Sequence, residues 1–149
     1  MAVDLEYIKS LEATARRLEP SPSELAELFA QTEAHARAFL EKIDTNRTYI
    51  KTPDQGRGLL TSPIREEPIA LAQALQMVAE HVDVPGINPA SGGHLGYIPG
   101  GGIVHSAFGD FLADITNRYA GVFFAGPGAV RMENMLLDWM AEIVGYPHS

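Results

Sequence analysis

The 149-residue chain contains no cysteine. Disulfides and thiolate metal sites are excluded, and a cytoplasmic location is expected. No apolar run approaches the roughly 20 residues needed to cross a bilayer, so no membrane partner is expected. The first residues, MAVDLEYIKS, lack a basic segment followed by an apolar one, and no signal peptide is read there. Positive charge is scarce: 11 basic side chains against 19 acidic ones leave a net charge of −8. Nucleic acid is excluded as a partner on that ground, because binding it takes a basic face that displaces counterions from phosphate. No segment alternates apolar and polar residues as a half-buried strand would, and no internal repeat is found.

What is present reads as helix. The hydrophobic fraction of 46% and charged fraction of 20% suit a globular domain, whose core would cover about two-thirds of its unfolded surface. Leu5, Ile8, Leu11, Ala15 and Leu18 recur at three- and four-residue steps and predict a first helix, ended by Glu19-Pro20. Ser21, Pro22 and Glu24 spell a capping box with proline at the first helical position. The helix they open carries Leu25, Leu28, Phe29, Thr32, Ala36, Phe39, Leu40 and Ile43 along one stripe. Residues 44–62 have no period and read as an extended connector, long for a compact domain. A third helix is predicted from Glu66, Glu67 and Pro68 through Val82. The fourth starts near Val104–Ser106. The fifth spans about Ala129 to Val144, with Met132, Leu136, Trp139, Met140 and Ile143 on a face read as core, and Gly145 and Pro147 closing it. The fold class for this chain is therefore all-α: about five helices with glycine-rich loops. A break falls in the proline- and glycine-rich stretch 83–102, giving segments 1–90 and 91–149.

Two loops stand out. Gly92–Gly102 centres on GYIPGGG. It fails the tests for a phosphate cradle, having no Gly-Lys-Ser/Thr, no G-x-G-x-x-G and no preceding strand. A tight turn between helices is one reading. The other is a ligand wall, in which Tyr97, Ile98 and Pro99 stand beside bare backbone. The second loop, 118–127, places Tyr119, Phe123 and Phe124 where a surface loop belongs, which marks an interface. His94 and His105 flank the first loop without the company a metal needs. His35 reads as part of a solvated helix face. Asp110, Asp114, Glu133 and Asp138 fit helix surfaces better than acid–base pairs, and no catalytic residue is assigned in this chain.

The order and spacing of GYIPGGG, the aromatic loop ending in Gly126-Pro127-Gly128-Ala129, and a helix bearing Arg131, Glu133, Asp138 and Trp139 that closes on Gly-Tyr-Pro resemble the early part of the group II pyridoxal-phosphate-dependent amino-acid decarboxylases. This is the family of the aromatic-amino-acid decarboxylases. The resemblance implies the N-terminal arm and the start of the large domain of a type I, aminotransferase-like α/β fold. It implies a homodimer with intertwined N-terminal helices, formed by segment 1–90, and an amino-acid substrate in the full-length enzyme. By position, substrate contacts fall on Tyr97, Ile98, Pro99 and Gly100. Contacts reaching the neighbouring subunit's pocket fall near Tyr119, Gly121 and Phe123. The reaction implied is decarboxylation through a Schiff base with pyridoxal phosphate. The family's lysine would lie beyond Ser149, and Lys9, Lys42 and Lys51 fit no family lysine motif. The chain alone is then expected to be an inactive N-terminal fragment that binds no cofactor. Three departures are visible: Ser91-Gly92-Gly93-His94 replaces the usual His-Pro and aromatic, Gly126 stands where a serine commonly precedes the proline, and Gly100 replaces a side chain that touches substrate in some relatives, so the resemblance does not imply an aromatic substrate. The alternatives are a stand-alone helical interaction or dimerisation module and a small-molecule-binding helical domain.

Overall fold

The computed structural model describes residues 4–97 and 100–147. It is mostly helical, as expected: α1 is Leu5–Ala15, α2 Pro22–Leu40, α3 Leu71–Val78, α4 Val104–Thr116 and α5 Pro127–Val144. The chain forms two compact units, Met1–Gly101 and Gly102–Ser149. Among the described residues no helix is long and apolar enough to cross a membrane.

In the first unit, α1 starts on Asp4, whose carboxylate accepts the Glu6 and Tyr7 amides at 3.1 Å. The helix tightens into a 3-10 turn at Arg16–Leu18, and Glu19 turns extended ahead of Pro20. The capping box of α2 is complete. The Ser21 hydroxyl accepts the Glu24 amide at 3.3 Å, and the Glu24 carboxylate accepts the Ser21 amide at 2.8 Å. The third helix starts at Leu71, later than Glu66–Pro68. Pro68 disfavours helical geometry at Glu67, and Ala70 is still extended at ψ 143°. After Val78 the helix widens into a π turn at Ala79–Asp83, closed by a Val84 N–H to Ala79 O bond of 3.2 Å.

That π turn ties the unit together. Asp83 Oδ2 lies 3.0 Å from His35 Nε2 on α2, so His35 is half-buried in a hydrogen bond rather than on a solvated face. His81 turns the other way, onto the connector. Its Nδ1 is 3.2 Å from Asp54 Oδ2, off the hydrogen-bond axis. The imidazole occupies the space where a β-carbon on Gly58 would sit. The connector is not structureless: it holds β1 (Tyr49–Ile50) and a 3-10 turn at Arg57–Thr61. β1 pairs antiparallel with β2 (Gly86–Ile87), in the register Tyr49 opposite Ile87. Two-residue strands are too short to show alternation, which is why no strand is legible from the residue pattern.

The second unit holds α4 and α5. α4 ends on Asn117, left-handed at φ 41°. α5 takes Pro127 at its first position, two residues earlier than read. It ends on Gly145 at φ 74°, with Tyr146 N–H bonded to Ala141 O at 2.8 Å, a Schellman closure.

The expected core is not found in either unit. No apolar side chain among the described residues is buried. On α2 the half-buried positions are Gln31, His35 and Phe39, while Leu25, Leu28 and Leu40 of the apolar stripe are exposed. Trp139, read as core, is 53% exposed. The physical reason is that a stripe shows which face needs cover, and neither unit supplies a second layer to cover it. The chain exposes 13038 Å², where a compact monomer of its mass would expose about 7,400 Å².

The Glu24 carboxyl is held below the usual carboxylate range, first by the Ser21 hydroxyl and then by the Ser21 amide. A lowered folded value means the box contributes fully above the ordinary glutamate value of about 4.3, and that contribution is lost as pH falls through the folded value. A carbon-13 NMR titration should place the Glu24 midpoint below about 4.3, and Ser21→Ala should return it toward that value. A midpoint indifferent to Ser21→Ala would contradict the box.

Candidate functional site

The glycine loop leaves the first unit at Ala90 and returns at Gly101. Its two ends touch, since a β-carbon on Gly101 would stand 3.2 Å from Ala90 Cα. Its base is built from polar groups. Asn88 turns the chain, its side chain accepting the Ala90 amide at 3.0 Å and its carbonyl the Ser91 amide at 3.2 Å. Ser91 then donates its hydroxyl to Asn46 O at 2.7 Å and accepts the Gly93 amide at 3.3 Å. The Thr48 hydroxyl lies 3.2 Å away. The His94 amide bonds back to Ser91 O at 2.9 Å.

On this base stands Tyr97. It is 83% exposed, and its φ is +65°. An aromatic residue seldom adopts that left-handed backbone, at a cost of about 1–3 kcal/mol, and such strain clusters at ligand-contacting segments. The His94 ring stacks against it, centroids 6.1 Å apart at 21°, and His94 Nε2 is buried with no hydrogen-bond partner. Gly100 has open space on its β-carbon side. Ile98 and Pro99, the other two expected substrate contacts, lie outside the described residues.

In the second unit the aromatic loop folds on itself. The Tyr119 ring covers Gly121, where a β-carbon would collide with the phenol, and the Tyr119 carbonyl occupies the β-carbon position of buried Gly126. The Ala125 and Gly126 amides bond to Val122 O at 3.2 and 3.3 Å. Phe123 is held from α5, with the Arg131 guanidinium 5.2 Å from its ring centroid, a cation–π contact worth about 0.5–1 kcal/mol at an exposed site. Tyr119 and Phe123 are nevertheless 66% and 51% exposed. The structure thus presents the aromatic loop as an open surface.

The surroundings of Gly126 leave no room for a side chain. A serine there would drive its β-carbon into backbone, which a rotamer change cannot relieve. Sequence reasoning missed two features of the base. Ser91 was visible only as a departure, and the contacts among Asp54, Gly58 and His81 carry no local pattern. Among the described residues no group of three or more His, Asp or Glu side chains could hold a metal ion.

Lysine, the residue type a Schiff base requires, stands at three positions, all outside the two loops. Lys9 is engaged with Glu6 on α1 at 3.0 Å. Lys42 follows α2 in a turn, and Lys51 lines a shallow crevice with Tyr49, Pro85 and Gly86. A second crevice runs from Ser62 to Met77. Neither crevice includes Tyr97, Tyr119 or Phe123.

Set against known families, characterised proteins and solved structures, the chain finds no match.

The glycines give a paired prediction of opposite sign. Gly126→Ala should destabilise the native assembly by about 1–3 kcal/mol through overpacking. Gly128→Ala, two residues on, meets open space inside α5 and should be neutral or stabilising by up to about 1 kcal/mol. Urea unfolding followed by circular dichroism checks both, and equal effects would contradict the geometry of the loop.

Proposed function

We propose that this chain is the dimer-forming and pocket-lining part of a pyridoxal-phosphate-dependent amino-acid decarboxylase. In this reading α1, α2 and α3 form an arm that packs across a second copy. The glycine loop contacts the substrate side chain through Tyr97, Ile98, Pro99 and Gly100, and the aromatic loop contributes Tyr119, Gly121 and Phe123 to the neighbouring subunit's pocket. The observation that carries the reading is the bare apolar surface. The helices have formed, capped and turned as designed for packing, yet no described apolar side chain is buried.

The scale of that surface decides between kinds of partner. The excess over a compact monomer is roughly 5,600 Å². A standard-size stable interface buries about 600–1,000 Å² on each partner, transient contacts bury less, and obligate assemblies bury more and are more apolar. An obligate assembly is the class that fits. The rigid aromatic Tyr97, strained and held by its base, suits contact with a small ligand.

The chain's own part in the reaction is binding and orientation. The cofactor would supply the electron sink for decarboxylation. None of the three lysines belongs to either loop, so the covalent chemistry has no residue here to run through. A helical interaction module would explain the same bare faces, but not an aromatic residue held at positive φ on a pinned loop.

Analytical ultracentrifugation should find the chain as a dimer or larger. The native assembly, supplied with pyridoxal phosphate, should release carbon dioxide from at least one carboxyl-labelled amino acid. Tyr97→Ala should raise KM for that substrate about tenfold. A stable monomer that binds no apolar dye, together with no carbon dioxide release from any amino acid, would overturn the proposal.

A further inference from the structure

We infer that Ser91 is a positioning residue, a clasp that sets the reach of the glycine loop by fastening it to the connector 43–45 residues earlier in the chain. Its functional half rests on the decarboxylase reading above, whereas its structural half does not.

The evidence is a convergence at one side chain. Ser91 is 6% exposed, and it is the one buried polar residue among the described residues. Its hydroxyl is fully used: it donates to Asn46 O at 2.7 Å and accepts the Gly93 amide at 3.3 Å, with the Thr48 hydroxyl 3.2 Å away. Its backbone is used as well, bonding to Asn88 O and receiving the His94 amide at 2.9 Å. The seat is also fitted sterically. A β-carbon on Gly93 would lie 2.8 Å from the Thr48 hydroxyl. The connector side is held in turn, since Asn88 N–H bonds to Thr48 O at 2.8 Å and Tyr49 pairs with Ile87.

The consequence follows from the geometry of a closed loop. Its ends meet at Ala90 and Gly101, so the loop is an excursion whose placement is set at its neck. Ser91 is the first residue inside that neck, and Tyr97 stands six residues on. Losing the hydroxyl frees the Gly93 amide and leaves the carbonyl of half-buried Asn46 without this donor. The neck would then rock, and Tyr97 would sample positions away from the substrate. Such a change weakens binding and leaves the chemical step alone.

The test uses Ser91→Ala, with Thr48→Ala as a milder variant and Ser91→Thr as the rescue that restores a hydroxyl. Hydrogen exchange is read at Gly93 and His94, with the α2 amides as reference, and KM and kcat are read on the native assembly. Ser91→Ala should speed exchange at Gly93 and His94 about tenfold, leave α2 unchanged, raise KM about tenfold and hold kcat within about twofold. Thr48→Ala should give a smaller shift in the same direction, and Ser91→Thr should bring KM part of the way back. Unchanged exchange at Gly93 would overturn the clasp, as would equal acceleration in α2. Faster loop exchange with an unchanged KM would overturn the positioning role. If the loop responds as stated and the assembly decarboxylates nothing, the clasp stands and the decarboxylase reading fails.

Discussion

An amphipathic helix is stable in water only if something covers its apolar face. Most helical stability in proteins comes from that cover rather than from intrinsic propensity. Every other feature of this chain depends on this constraint. The α5 face carrying Trp139, Met140 and Ile143 is open, and so is the α4 face carrying Phe108, Leu112 and Ile115. The ends of the helices are nonetheless finished in detail, with a carboxylate cap at Asp4, a capping box at Ser21 and a left-handed glycine at Gly145. Finished ends with bare faces describe helices whose apolar sides find no cover within their own unit.

Within the first unit the chain uses polar contacts to hold what apolar packing does not. The π turn sends His81 onto the connector and Asp83 onto His35, so three segments meet at five residues. These pairs are partly exposed, and such contacts contribute about 0–1 kcal/mol each. They fix direction more than they supply stability. The half-buried side of α2 carries Gln31 and His35 beside Phe39, which leaves Leu25 and Leu28 exposed.

Legibility in the sequence follows the range of the interaction. The cap at Ser21 and Glu24 and the stop at Gly145 are set by residues within four positions of one another, and both are where the pattern puts them. The start of α3 is misplaced because Pro68 was read for what it permits in a first turn, not for what it forbids in Glu67. The burial of Trp139 is misread because periodicity identifies a face without identifying its cover. His35 is misread because its partner Asp83 lies 48 residues away. The base of the glycine loop was not legible, since Ser91 meets Asn46 and Thr48 only once β1 and β2 have paired.

The two loops share a construction that bears on how a ligand would be met. In each, an aromatic ring is placed by a neighbour rather than buried: His94 stacks on Tyr97, and Arg131 sits over Phe123. In each, the backbone beneath is too crowded for a side chain, at Gly93 against Thr48 and at Gly126 against the Tyr119 carbonyl. A ring so supported keeps its orientation while its outer face stays free. Ordering it on ligand contact would therefore cost less than ordering a mobile side chain, for which about 0.5–1.5 kcal/mol is lost. Glycine at 126, where the obstacle is backbone, is thus a requirement of the aromatic display. A serine at 126 would have to displace the backbone that carries Tyr119, so the bare position and the ring displayed above it depend on each other.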